Sequence, residues 1–239
     1  MIFFIIFMLG ACIGSFINVM FSRRDWYKGR SRCDSCGYVL KWYDLIPVFS
    51  YILLLGKCRN CKKHIDTSHF MSEIFMGAAF VVSYICFLEF SLEYSILSVI
   101  TLFFLAIYAI EDTKEQMIYS SLLNLGIILT GMVKAYILYS AKSYREILML
   151  VLTVIAYKII MHFISFAGIG NGDFDIILVM YMLFGAYECG FSIAVSSFVG
   201  CTIYIPAVIL KKYDKKQPLA LAPLLFMGTM ICLLIWRGM

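Results

Sequence analysis

Residues 2–21 read IFFIIFMLGACIGSFINVMF, an apolar stretch without a charged side chain. A helix needs about 20 such residues to cross the hydrocarbon core of a bilayer, so this stretch predicts a membrane-spanning helix. Hydropathy predicts further spans near residues 70–88, 95–110, 119–139, 147–167, 174–188, 191–210 and 218–237. The sequence therefore predicts an all-α polytopic membrane protein with about eight transmembrane helices.

The composition agrees with a protein whose main solvent is lipid. Of the 239 residues, 62% are hydrophobic and 15% are charged, whereas a soluble domain has about 45–50% apolar and about 25% charged residues. The net charge of +5 does not indicate nucleic acid as a partner, because half of the 20 Lys and Arg residues lie in one segment, residues 22–69. Basic residues concentrated beside a membrane span are typical of a cytoplasmic loop.

Charge also predicts the topology and the domain organisation. If residues 22–69 are cytoplasmic, the N-terminus is outside, and alternation puts the end of the third span and the start of the sixth span inside. A second basic cluster falls inside as well: Lys211, Lys212, Lys215 and Lys216. We expect three parts, namely a first transmembrane helix at 1–21, a cytoplasmic loop domain at 22–69 and a helical bundle at 70–239.

One apolar stretch inside the loop domain, residues 45–55, is too short to span a bilayer. We expect it to pack at the membrane surface or to cover a small metal domain.

Four cysteines of the loop domain form two CxxC pairs separated by 21 residues. Two such pairs predict a tetrahedral zinc site, because each pair directs two sulfur atoms at one ion. A pair of disulfides is the alternative, although a cytoplasmic loop is a reducing environment. Four protein ligands leave no position for a catalytic water, so the zinc is expected to be structural. His64 and His69 could replace a ligand. The predicted ligands are Cys33, Cys36, Cys58 and Cys61.

Two aspartates at predicted span ends are candidates for catalysis. Asp112 ends the third predicted span, and Asp173 begins the sixth in the sequence GIGNGD at residues 168–173. Both are expected at the same side of the membrane, although they are 61 positions apart in the sequence. Two adjacent carboxyl groups do not easily ionise together, so one keeps a proton while the other acts as a base. Such a pair can activate water against a peptide carbonyl.

The residues around these aspartates have roles of their own in this interpretation. Gly170 and Gly172 are expected to let a substrate backbone approach the acids closely. The alternative is a simple turn in which Asp173 caps the next helix. For Asp175 and Glu111 we expect interfacial solvation or pairing with Lys114.

Together these features resemble the type IV prepilin peptidases, a family of GxGD membrane aspartyl proteases. The resemblance begins with GACIGSFINV at residues 10–19 followed by Arg23, and continues through the two CxxC pairs. The regions of Asp112 and Asp173 and the Ala222-Pro223 dipeptide complete it. Two departures are Tyr119-Ser120, where members of the family commonly have Pro-Asp, and Asp175, where they often carry Lys.

The resemblance implies a bacterial plasma-membrane enzyme that removes the leader peptide from prepilins or pseudopilins at the cytoplasmic face. It also implies N-methylation of the new N-terminus with S-adenosylmethionine. Gly14, Asn18 and Glu73 are then the candidate cofactor-binding residues. Helix packing for Gly14 and interfacial polar contacts for the other two are the alternatives.

Three other interpretations remain open at this point. An ion-coupled transporter would use the aspartates as a relay, but it would carry them near the bilayer midplane. A non-catalytic scaffold for pilin assembly would depend on the zinc loop and not on the aspartates. A protease similar to signal-peptide peptidases would lack the GSFINV segment and the double CxxC region.

Overall fold

The computed structural model describes residues 1–22, 29–33, 35–89, 91–115, 118–166, 172–209 and 220–235. Within these residues the chain forms nine α-helices and a 3-10 turn at Trp42–Leu45. The helices are α1 Ile2–Ser22, α2 Phe49–Leu53, α3 Thr67–Glu89, α4 Leu92–Glu115, α5 Ser120–Ser140, α6 Tyr144–Phe166, α7 Gly172–Phe184, α8 Ala186–Ile209 and α9 Ala222–Ile235.

The predicted all-α membrane fold is confirmed, and each of the eight predicted spans corresponds to a helix. Six helices are long and apolar enough to cross a membrane. The other two, α7 and α9, have only 13 and 14 residues, or about 20 Å each. The expected loop near residue 190 lies earlier, because Gly185 adopts a positive φ of 93° between α7 and α8.

Some predicted features lie outside the described residues. They include the basic cluster at 211–216, Gly170, and the motif residue Arg23.

The described chain divides into two compact units, Met1–Val81 and Val82–Met239, with the division inside α3. The predicted boundaries at residues 21 and 69 stay predictions.

In the first unit, α1 and α3 pack through glycines. A Cβ atom at Gly10 would lie 2.6 Å from the carbonyl oxygen of Met76, and one at Gly14 would lie 2.6 Å from that of Ser72. Small residues four apart allow two backbones to approach this closely in a membrane. Asn18, fully buried, donates a hydrogen bond of 2.5 Å from Nδ2 to Ser72 Oγ and extends the same contact.

In the second unit, α4 is the central helix. It packs against α5, α7 and α9, and its stretch from residue 104 to residue 112 is buried on every side. The Tyr108 hydroxyl donates a hydrogen bond of 3.2 Å to the carbonyl of Leu122 on α5, and Gly126 leaves the space for it. This packing carries the last turns of α4, including Asp112, into the interior of the unit.

Candidate functional site

Asp112 lies within α4 and not at its end, because the helix continues to Glu115. Its side chain is nearly enclosed, with the residue 9% exposed. Oδ2 accepts a hydrogen bond of 2.9 Å from the backbone N–H of Ala222, and the N–H of Leu221 also bonds the carboxyl group. These donors are at the N-terminus of α9, where free N–H groups and the helix dipole favour a negative charge.

Asp173 is the second residue of α7 and is exposed. Asp173 is close enough for its charge to act on the Asp112 carboxyl group, although the two residues are distant in sequence; their joint catalytic role stays a prediction. Gly172 directly precedes Asp173, and the nearest atom to a Cβ added there would be 4.0 Å away. The space beside the exposed carboxylate is therefore open at this residue.

Asp175 has two side-chain partners on α6. Its Oδ1 accepts a hydrogen bond of 2.7 Å from Lys158 Nζ on α6 and one of 3.1 Å from the Tyr157 hydroxyl. Lys158 also donates to Asn124 Oδ1 on α5, at 3.2 Å. These contacts link α5, α6 and α7, whereas the side chain of Lys114, the expected partner, lies outside the described part of the chain. The sequence signal was available, because an ionisable residue inside a predicted span, such as Lys158, is a functional candidate by default.

The two CxxC pairs have the same backbone structure. Each first cysteine, Cys33 or Cys58, accepts a hydrogen bond at its carbonyl from the N–H four residues later, at 2.9 Å and 3.0 Å. Each also donates its own N–H to the carbonyl five residues later, at 2.9 Å in both pairs. The fourth residue after each first cysteine has a positive φ, 71° at Gly37 and 58° at Lys62. The pairs are thus two copies of one turn.

These turns bring the predicted metal ligands together. The Sγ atoms of Cys33, Cys36, Cys58 and Cys61 all lie within 4.8 Å of one another. A tetrahedral zinc with bonds of about 2.3 Å requires sulfur separations of about 3.8 Å, and Cys33 and Cys61 are 4.0 Å apart. The cluster can therefore hold a zinc ion.

A cavity of about 380 Å³ adjoins this cluster within the first unit, a size typical of small-molecule sites. Carboxylates, basic side chains, aromatic rings and two of the metal-site cysteines line it. Asp44 forms an ion pair of 2.8 Å with Arg59 there and is itself buried. Residues of the lining include Ser15, Arg32, Cys33, Asp44, Tyr51, Cys58, Arg59, Asp66, Phe70 and Glu73.

The three predicted cofactor residues have different positions relative to this cavity. Glu73 lines it, accepts a hydrogen bond of 2.6 Å from the Val48 N–H and is also bonded by Ser15. Gly14 and Asn18 do not line it, and both contact Ser72 of α3. The contact of Gly14 favours the helix-packing alternative, and Asn18 makes a polar contact between helices, so a cofactor role stays a prediction that Glu73 supports best.

Comparison with known proteins identifies relatives of the chain. Residues 8–87 match the family model described as the bacterial Peptidase A24 N-terminal domain. The chain is 35% identical over 101 residues to a prepilin leader peptidase/N-methyltransferase of Myxococcus xanthus, covering 41% of this chain and 29% of that protein. A Vibrio cholerae protein of the same name is 39% identical over 74 residues, covering 26% of this chain and 29% of the relative.

The likeness to other relatives extends much further. A Bacillus subtilis protein with the same name is 25% identical over 234 residues, covering 96% of this chain and 93% of that protein. No solved structure matches the chain significantly. The resemblance that the motifs indicated is confirmed.

Proposed function

Since the chain is related along nearly its whole length to the prepilin leader peptidase/N-methyltransferases, we propose that it removes the leader peptide from prepilin-type substrates and methylates the new N-terminus. The observation that carries the peptidase half is the relation to such an enzyme over 96% of the chain, and the action of the Asp173 charge on the Asp112 carboxyl group supports it. The cavity beside the cysteine cluster supports the methyltransferase half.

Cleavage in this proposal is aspartyl proteolysis. Two neighbouring carboxyl groups share one proton, so the pair contains a base and an acid at the same pH. The ionised group takes a proton from water, which attacks the scissile carbonyl, and the protonated group delivers a proton to the departing amine. Hydrogen bonds from Leu221 and Ala222 hold the Asp112 carboxyl group in position.

The exposure of Asp173 indicates how a peptide substrate could reach the site. Asp173 is exposed and is preceded by glycine, so an extended peptide can approach Asp173 without meeting a side chain at residue 172. The bias of basic residues toward 22–69 favours action at the cytoplasmic face of a bacterial plasma membrane. A prepilin or pseudopilin would present its leader there beside its own hydrophobic helix.

Zinc in this proposal is structural. Cys33, Cys36, Cys58 and Cys61 would hold it and leave no open coordination position. Bound zinc supplies no chemistry to cleavage here, and its contribution is to join the two turns that frame the cavity.

S-adenosylmethionine is the methyl donor that the relatives' name implies, and the cavity lining fits such a molecule. It has a cationic sulfonium and polar sugar and amino-acid groups, which Glu73, Asp44 and Asp66 could bind. Tyr51 and Phe70, whose rings stack 4.7 Å apart, offer an aromatic surface for the base. When bound, it supplies an activated methyl group.

Co-expression with a prepilin and mass spectrometry of the processed N-terminus tests both halves. Asp112→Asn and Asp173→Asn should each lower leader removal by at least about 100-fold, since each removes acid–base catalysis. Glu93→Gln is the matched control, because Glu93 lies in the first turn of the same helix as Asp112. Normal cleavage in either aspartate variant would exclude the aspartyl mechanism.

The methyltransferase half has its own variant. Glu73→Gln should abolish methylation while cleavage continues, because Glu73 lines the cavity of the first unit and the aspartates belong to the second. Full methylation in this variant would exclude Glu73 from the cofactor site. A scaffold would instead tolerate both aspartate substitutions and lose pilus assembly when Cys33→Ser and Cys58→Ser are combined.

A further inference from the structure

The apolar stretch at residues 45–55, LIPVFSYILLL, carries no charge and lies in the middle of the most basic part of the chain. It contains the short helix α2, and its side chains divide into two groups. Ser50, Tyr51 and Leu54 line the cavity of the first unit. Ile52, Leu53 and Leu55 point away from the protein and are 55%, 80% and 80% exposed. Large aliphatic side chains exposed this far are costly in water.

The position of this stretch along α1 indicates what covers the exposed group. The ring of Phe49 lies 6.0 Å from the ring of Phe4, in an edge-to-face contact. Phe4 precedes Ser22, the last residue of α1, by 18 positions, which is about 27 Å of helix. Because Phe4 lies within the stretch of α1 that is long and apolar enough to span a membrane, Ile2–Met20, Phe49 contacts α1 at a level that hydrocarbon would surround.

The backbone of the stretch is suited to a medium without water. N–H groups of residues 49, 50, 52, 54, 55 and 56 bond carbonyls of the same stretch, at 2.6–3.1 Å. The N–H of Val48, whose φ is 64°, is bonded by Glu73. Pro47 has no N–H to satisfy. Irregular backbone is tolerated at membrane depth only when its polar groups are satisfied in this way.

We propose that residues 48–55 form a re-entrant segment whose outward side chains, Ile52, Leu53 and Leu55, contact lipid acyl chains beside α1. The occupant is lipid and not a protein partner, because the exposed group continues the apolar surface of α1, where Phe4 and Ile5 are also exposed. Both ends of the segment fit the membrane interface. Trp42 and Tyr43 precede it, and Lys57 follows it; aromatic and basic residues are enriched at this level.

The proposal does not depend on the enzymatic function. It makes one wall of the cavity a lipid-embedded element, so the loop domain is anchored in the bilayer at a point other than α1 and α3.

Depth-dependent fluorescence quenching of the full chain in phospholipid vesicles tests the segment. Leu53→Trp and, separately, Ile52→Trp are introduced in a background whose native tryptophans, Trp26, Trp42 and Trp236, are changed to Phe. Lipids brominated in their acyl chains should reduce the emission of both probes about twofold, while aqueous iodide has little effect. Val39→Trp is the control, because Val39 is an exposed apolar residue (42%) of the first CxxC turn.

Two positions are used because a single substitution could disturb local packing. A variant whose size-exclusion elution in detergent differs from that of the parent protein is not used, and the other probe is then measured. Stronger acyl-chain quenching at Leu53 and Ile52 than at Val39 supports the re-entrant segment. Quenching at both positions that is no stronger than at Val39, or ready access of iodide to both, overturns it.

Discussion

Loss of the ion pair between Lys158 and Asp175 is expected to lower the stability of the helical bundle. Changing Lys158 to Met removes the cation 2.7 Å from Asp175 Oδ1 and leaves that carboxylate with the Tyr157 hydroxyl as its partner. Two unit charges about 4 Å apart attract by about 4 kcal/mol at an effective dielectric constant near 20. Desolvation of both groups opposes this attraction, so the net contribution is much smaller.

The exposed fractions of the two side chains limit the net contribution of the ion pair to the free energy of unfolding. Asp175 is 13% exposed and Lys158 is 40% exposed, so water screens one end of the pair. Polar contacts between membrane helices contribute about 0.6 kcal/mol on average and about 1.7 kcal/mol at most. We therefore expect Lys158→Met to lower the free energy of unfolding by about 1–2 kcal/mol, mostly because a carboxylate between helices is left without its cation.

A double-mutant cycle in lipid nanodiscs measures the link. Asp175→Asn removes the other charge, and the combination with Lys158→Met should cost about 1 kcal/mol less than the sum of the single changes. Lys158→Arg is the matched control, because it keeps a cation at the same position. Additivity within about 0.3 kcal/mol would refute the pairing. Because Asp175 follows Asp173 by two residues on α7, we also expect leader cleavage to fall in the single variants.

Three further predictions concern backbone contacts. Ala222→Pro deletes the N–H that binds Asp112, and Pro is tolerated at this helix start. Cleavage assays should therefore show a decrease in activity of about 10–100-fold, whereas the control Ala222→Gly, which keeps the N–H, should retain activity. Gly14→Leu should prevent stable insertion, as followed by membrane-fraction yield, because even a Cβ would lie 2.6 Å from the carbonyl oxygen of Ser72; a normal yield would contradict the close contact. Lys62→Gly should stabilise the second CxxC turn against metal chelation by up to about 1 kcal/mol, since Lys62 has a φ of 58°; faster metal loss in the variant would contradict this.

The cysteine cluster illustrates how much local spacing can predict. The CxxC pattern indicated four ligands, and their sulfur atoms do converge. The equivalence of the two turns was less visible, because Gly37 and Lys62 occupy the same backbone position with different side chains. A lysine in this conformation gives no sequence signal, since only the hydrogen bonds of the folded loop select it.

The aspartates illustrate the opposite case. Charge bias and hydropathy predicted that Asp112 and Asp173 lie at one level, but the two were placed at span ends, and α4 continues past Asp112. The α9 backbone N–H that bonds Asp112 comes from a residue 110 positions away. A main-chain donor has no side-chain identity, so no residue pattern could indicate it.

Asp175 and Gly14 show why the contacts of individual residues were predicted less well than the helices that carry them. The ion pair of Asp175 depends on the rotation of α6 and α7 about their axes, which places Lys158 within 2.7 Å. Gly14 was a candidate for cofactor binding, whereas its observed neighbour is the backbone of α3. Glycine is used for both purposes, and only the crossing of two helices distinguishes them.

The sequence by itself determined the membrane class, the positions of eight apolar helices, the four-cysteine cluster and the pair of candidate acids. These depend on hydrophobic length, charge bias and short-range spacing, all of which are local quantities along the chain. The tertiary structure alone decided which groups surround those residues: the α9 N–H groups at Asp112, the Lys158 partner of Asp175, and the stretch at 45–55 beside Phe4. Such contacts join residues that are distant in sequence, and they depend on the angles at which helices cross and on the rotation of each helix about its axis. These angles and rotations are set by the packing of all neighbouring side chains together, so no local stretch of sequence determines them.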